Sequence, residues 1–117
     1  MSEKQLFWLG SSYNDLKEMP EHIQDIFGYA LDLAQNGKRH PKAKPFKVKG
    51  ESGIIEVVGD YDGDTFRAIY TVRYDDAIYV IHCFQKKSTI GIKTPQKDVT
   101  LVTERLKRLK SILKKEM

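Results

Sequence analysis

Arg67 and Arg73 lie an even number of residues apart in a run rich in β-branched and aromatic residues. An extended backbone there puts both guanidinium groups on one face. Lys86-Lys87 end the next such run, and Lys47 and Lys49 precede the one before. Arginine offers phosphate a planar fork, and lysine a flexible point charge. RNA cleavage without a metal asks for little more than this. Cations clamp the phosphate and stabilise its transition-state charge, while one proton leaves the 2′-hydroxyl and another reaches the 5′ leaving oxygen. His82, Tyr70 and Lys86 are the side chains whose shifted pKa values would suit proton transfer. The competing reading of Arg67 or Arg73 is a cross-strand ion pair with an acid such as Glu56.

Other chemistries find few residues to work with. His22, His40 and His82 have no ligand-like spacing to the single cysteine, Cys83, so no metal site is expected. His82 and Cys83 are neighbours on a predicted strand and point to opposite faces, which disfavours a nucleophile–base pair. Gly50, Gly53, Gly59 and Gly63 fall in turns of a predicted meander rather than before a helix, unlike a phosphate loop. Asp60, Asp62 and Asp64 mimic the start of a calcium loop, but its twelfth position is Thr71, and turn-forming aspartates are the better account. No cofactor is expected.

The elements that position the cations can be read from periodicity. Gln5–Leu9 reads as a short strand, and Ser11 or Ser12 caps a short helix to about Lys17. Ile23, Ile26, Phe27, Ala30, Leu31 and Ala34 recur at three and four, so Pro20–Gln35 reads as an amphipathic helix ended by Asn36-Gly37. Strands follow at Gly53–Val58, Thr65–Tyr74 and Ala77–Phe84, with Asp60–Asp64 and Asp75-Asp76 as turns. On the last strand, Ile78, Val80, His82 and Phe84 are expected on one face, opposite Tyr79, Ile81 and Cys83. Thr94 and Pro95 open a final helix, with an apolar stripe of Val99, Val102, Leu106, Leu109 and Leu113. Both faces of the meander carry apolar residues, so both are expected to be covered. The expected class is α+β: two N-terminal helices on a small, mainly antiparallel sheet, with a C-terminal helix.

The chain has 117 residues and 40% hydrophobic side chains, which suits one domain, 1–117. No apolar run approaches the roughly 20 residues of a membrane span. One cysteine and a first segment unlike a signal peptide fit a cytoplasmic protein. The net charge of +4 is unevenly spread. Residues 1–85 hold 10 basic and 13 acidic side chains, whereas residues 86–117 hold 10 and 3. Within the first part, Lys38, Arg39, Lys42, Lys44, Lys47 and Lys49 form a basic run without an acid. Two such segments can make one polyanion-binding surface if the fold joins them; alone, each is a solvated loop or helix face.

The run GIIEVVGDYDGDTFRAIY at Gly53–Tyr70, then AIYVIHCFQKKS at Ala77–Ser88, then Lys93-Thr94-Pro95 resembles the phage-derived branch of the RelE/HigB toxin superfamily. The resemblance covers roughly residues 5–110. It implies a ribosome-dependent mRNA endonuclease of a type II toxin–antitoxin system, with the ribosome, mRNA and a cognate helix-turn-helix antitoxin as partners. By position, Arg67 matches the strand arginine near the scissile phosphate, and Lys86 and Lys87 match basic positions after the last strand. His82 resembles a histidine of HigB-like members. Arg67, His82, Lys86 and Tyr70 are thus the expected catalytic set. Lys47, Lys49, Arg73, Lys87, Lys93 and Lys97 are expected on RNA. Where many relatives carry an aromatic-Glu-Leu-Arg segment, this chain has Ile55-Glu56-Val57-Val58. The superfamily also contains ParE-like gyrase inhibitors, and a binding domain without nuclease activity is a third possibility.

Overall fold

A computed structural model of the chain describes residues 3–86 and 94–115. Five strands form one sheet: β1 (Gln5–Trp8), β2 (Ala43–Pro45), β3 (Ile54–Tyr61), β4 (Asp64–Thr71) and β5 (Ala77–Lys86). Their spatial order is β1-β5-β4-β3-β2, with β1 parallel to β5 and all other pairs antiparallel. Helices α1 (Ser12–Lys17) and α2 (Glu21–Gln35) follow β1, and α3 (Gln96–Lys115) follows β5. The expected α+β architecture is what the chain adopts.

Two apolar clusters hold the layers together. On one face, Ile23, Phe27, Ala30, Leu31 and Ala34 of α2 pack on Ile55, Val57, Ala68, Tyr70, Ile78, Val80 and Cys83. On the other, Val102 and Leu106 of α3 pack on Ile54, Ile69, Ile81 and Phe84. Each fully buried Leu, Ile or Phe contributes about 1.5–3 kcal/mol of transfer free energy. Both sheet faces are therefore covered, as their double apolar patterning requires.

Several boundaries differ from expectation, each for a local reason. Asp60 and Tyr61 continue β3, so the hairpin turn is only Asp62-Gly63. Both turn residues have positive φ, 51° and 86°, which matches the right-handed twist of the flanking strands. β4 stops at Thr71 rather than Tyr74. The Arg73 amide instead donates a hydrogen bond to Thr71 Oγ1, which turns Arg73 out of the strand that carries Arg67. The basic loop contains an unforeseen edge strand, β2, which pairs Lys44 with Glu56.

The most consequential difference is a bulge on β5. Ile69 pairs with His82, but Tyr70 pairs with Val80, so Ile81 is an extra residue. Side chains on either side of a bulge exchange faces. Ile78 and Val80 consequently join Cys83 beneath α2, while Ile81 and Phe84 lie beneath α3. The expected single face of Ile78, Val80, His82 and Phe84 is thus split. His82 and Cys83 still point to opposite sides.

Candidate phosphate site on the face beneath the last helix

Glu56, Arg67 and Lys86 sit on adjacent strands of the face that α3 covers. The register places Glu56 on β3, Arg67 on β4 opposite Phe84, and Lys86 at the end of β5. Arg67 Nη1 lies 2.8 Å from Glu56 Oε2, with both side chains buried. Lys44 Nζ, largely exposed on β2, approaches Glu56 Oε1 at 3.9 Å. The Thr94 hydroxyl, expected as a helix cap, donates instead to Glu56 Oε2 at 3.3 Å. One buried carboxylate therefore gathers two cations, from β2 and β4, and a hydroxyl from the start of the last helical segment. Such a charge is stable in the interior only with this kind of compensation.

Lys86 is also buried, at 8% exposure. Burial, then the Arg67 charge, lowers its pKa from the ordinary lysine value, with Glu56 opposing and Lys44 adding to the fall. An ammonium held this way gives up its proton more readily than a free one. Arg67 and Lys86, both expected in the site, are thus together.

His82 lies on the same face, four residues before Lys86 on β5 and opposite Ile69. Its Nε2 is 2.7 Å from Asp98 Oδ1 in the first turn of α3. An imidazole facing a carboxylate carries its proton on that nitrogen, which leaves Nδ1 as the acceptor. Nδ1 is buried and has no hydrogen-bond partner among the described residues. The ring stacks on Phe84 with centroids 4.6 Å apart. Burial lowers the His82 pKa, while the hydrogen bond and charge of Asp98 oppose that shift. The histidine is therefore a packed strand residue with one oriented nitrogen.

Tyr70 is brought to a different place. It lies in the cluster under α2 at 1% exposure, and burial pushes its hydroxyl up to about 12 against the opposing Arg39 charge. It is on the far side of the sheet from Arg67. Arg73 pairs with Glu51 at 3.4 Å, and Glu51 also holds Lys110 at 2.8 Å. Lys47, Lys49 and Lys97 are exposed. Lys87 and Lys93 lie outside the described residues.

Sequence reasoning did not foresee Asp98, Thr94 or Lys44 in the site, and it met Glu56 only as a possible ion-pair partner. Their signals were weak because each depends on a contact across the sheet or from α3. Among the described residues, no group of three or more His, Cys, Asp or Glu side chains lies together as a metal cage would need. No helix among them is long and apolar enough to cross a membrane.

The arrangement couples a buried carboxylate, a guanidinium and a lysine of lowered pKa. That set can bind a phosphate and exchange protons beside it. No curated protein matches the chain. A family model described as phage derived protein Gp49-like (DUF891) matches residues 14–107, a span that contains α2, the first part of α3 and every residue of the cluster. With its meander, its covering helices and this match in agreement, the chain belongs to the phage-derived Gp49-like family, a family of RelE/HigB-like toxins.

Proposed function

We propose that the protein is an mRNA endonuclease toxin that acts on the translating ribosome and is neutralised by a cognate antitoxin. The observation that carries this reading is the meeting of Arg67, Lys86 and Glu56 on one sheet face. In the proposed reaction, Arg67 and Lys86 hold the scissile phosphate. Glu56 takes the proton from the 2′-hydroxyl, and the 2′-oxygen forms a bond to phosphorus. The bond to the 5′-oxygen breaks, and that oxygen receives a proton from the Lys86 ammonium. The products are a 2′,3′-cyclic phosphate and a 5′-hydroxyl, with no net gain or loss of protons. For this to happen, Arg67 turns part of its guanidinium from Glu56 to the phosphate.

A second reading rests on the burial of the same pair. An Arg67 fully committed to Glu56 leaves a protein that binds RNA or a partner without cutting. Inducible expression separates the two, with Arg67→Ala and Lys86→Ala as controls. The nuclease reading expects growth arrest, codon-spaced message cuts and cyclic-phosphate ends from the wild type alone. Arrest with intact messages and gyrase-linked DNA breaks would point to a ParE-like inhibitor instead. Salt-sensitive RNA binding without cut products would support the binding domain.

A further inference from the structure

Behind Glu56, on the other side of the sheet, three cations surround a second cavity. Lys4, Lys38 and Arg39 line a pocket of about 300 Å³ whose floor includes Ala34, Ile55 and Tyr70. Ile55 precedes Glu56 on β3, so the pocket and the phosphate site lie back to back. Neither Lys38 nor Arg39 forms an ion pair with any described carboxylate. The Arg39 charge is felt at the Tyr70 hydroxyl on the floor.

The chain itself links the two sites. From Arg39 it runs through His40 and Lys42 into β2, the outermost strand on that side of the sheet. Lys44 of β2 then reaches Glu56 on the opposite face. Beside this route, Tyr29 is 55% exposed and meets the His40 ring edge-on at 5.6 Å. A cationic track with exposed rings along it is how proteins hold single-stranded nucleic acid: charges follow the backbone and bases stack on the rings. An acidic polypeptide would use the cations but has no bases for the rings.

We infer that single-stranded RNA engaged at the Arg67–Lys86 site continues around the β2 edge, over the Tyr29–His40 pair, and seats a backbone phosphate between Lys4, Lys38 and Arg39. The inference rests on the reading that this toxin acts on RNA, and adds where the strand goes.

The test is binding of a short 2′-O-methyl oligonucleotide, which cannot be cut, to the full chain over a range of salt. The double reversal Lys38→Glu/Arg39→Glu is expected to weaken binding at least about tenfold. It should also reduce the salt slope by about 1.4, the value for two lost contacts to a single strand. Tyr29→Ala is expected to weaken binding about five- to 150-fold, the range for one lost stack, without changing the slope. Lys17→Glu, on the exposed side of α1, should change neither. Wild-type affinity and slope in the double reversal would overturn the path while leaving the nuclease reading intact. Competition by inorganic phosphate as strong as by the oligonucleotide would reduce the pocket to an anion site and overturn it too. So would competition by polyglutamate together with indifference to Tyr29→Ala. A track that binds as expected in a protein that makes no cuts would sink the nuclease reading alone, and a wild type that binds no RNA would sink both.

Discussion

Glu56 is the residue on which most of the candidate chemistry turns, and its variants separate structure from reaction. Glu56→Ala removes the carboxylate that lies 2.8 Å from buried Arg67. Breaking one side of a buried pair costs about 3–5 kcal/mol, so the urea midpoint should fall steeply. Glu56→Gln keeps the shape and a hydrogen bond but cannot accept the 2′ proton; message cleavage should drop by about 10²–10⁴ while the variant remains folded. His82 makes a prediction about pH. Its folded pKa lies below the ordinary 6.5 because burial outweighs Asp98. Below that ordinary value the unfolded chain binds the proton first, so His82 adds stability above about pH 6.5 and loses it as pH falls toward the folded value. His82→Gln should flatten the stability profile below about pH 6.5, and side-chain NMR of the wild type should give a His82 midpoint under that ordinary value. The Arg67–Glu56 pairing was legible in the sequence as one of two readings, because alternation puts both on one face. The His82–Asp98 contact was not, since it depends on how α3 docks 16 residues later.

At the scale of elements, the helices were the most readable. The stripe of α2 matches the buried set Ile23, Phe27, Ala30, Leu31 and Ala34. In α3 the buried set is Val102, Leu106 and Leu109, joined by Asp98, which no apolar pattern would find. β2 escaped notice because three residues ending in Pro45 carry almost no periodicity, and proline is tolerated there only because the strand is an edge. The bulge was invisible because an extra Ile81 in an apolar run looks like its neighbours. Between elements, Arg105 acts as a clamp: Nη1 donates to the Ile81 carbonyl at 2.8 Å, and Nη2 to Ser11 Oγ at 3.3 Å. The guanidinium lies so close to Gly10 that an added Cβ would meet its atoms at 2.6–2.7 Å, and Gly10 has a φ of +53°. Gly10→Ala should therefore push Arg105 off Ile81 and strain the turn together. A loss of about 1–3 kcal/mol is expected, read by thermal denaturation, with Arg105→Met giving a similar loss in the Gly10 background.

For the whole molecule, the sheet is a middle layer with an apolar cluster on either side, so neither cover is dispensable. Removing the chain from Gln96 onward would expose Ile54, Ile69, Ile81 and Phe84 together. The shortened protein is expected to bind a hydrophobic dye and to lose its sharp unfolding transition; a cooperative melt would show that α3 is only an accessory. The charge asymmetry visible in the sequence gains a shape at this scale. The basic run wraps the β2 edge, while α3 carries its own cations across the opposite face, which was legible only as two separate segments.

The parallel pairing of β1 with β5 has a consequence in time. Gln5 opposes Ala77, and Trp8 opposes Val80. On a ribosome making this chain, the first strand therefore waits for a partner that is synthesised some seventy residues later. The β3–β4–β5 meander has near neighbours and can form as it emerges, but the sheet closes only when its oldest strand finds its youngest. A chain cut short before Val80 thus lacks the full sheet. Synthesis itself delays the moment at which a complete sheet exists.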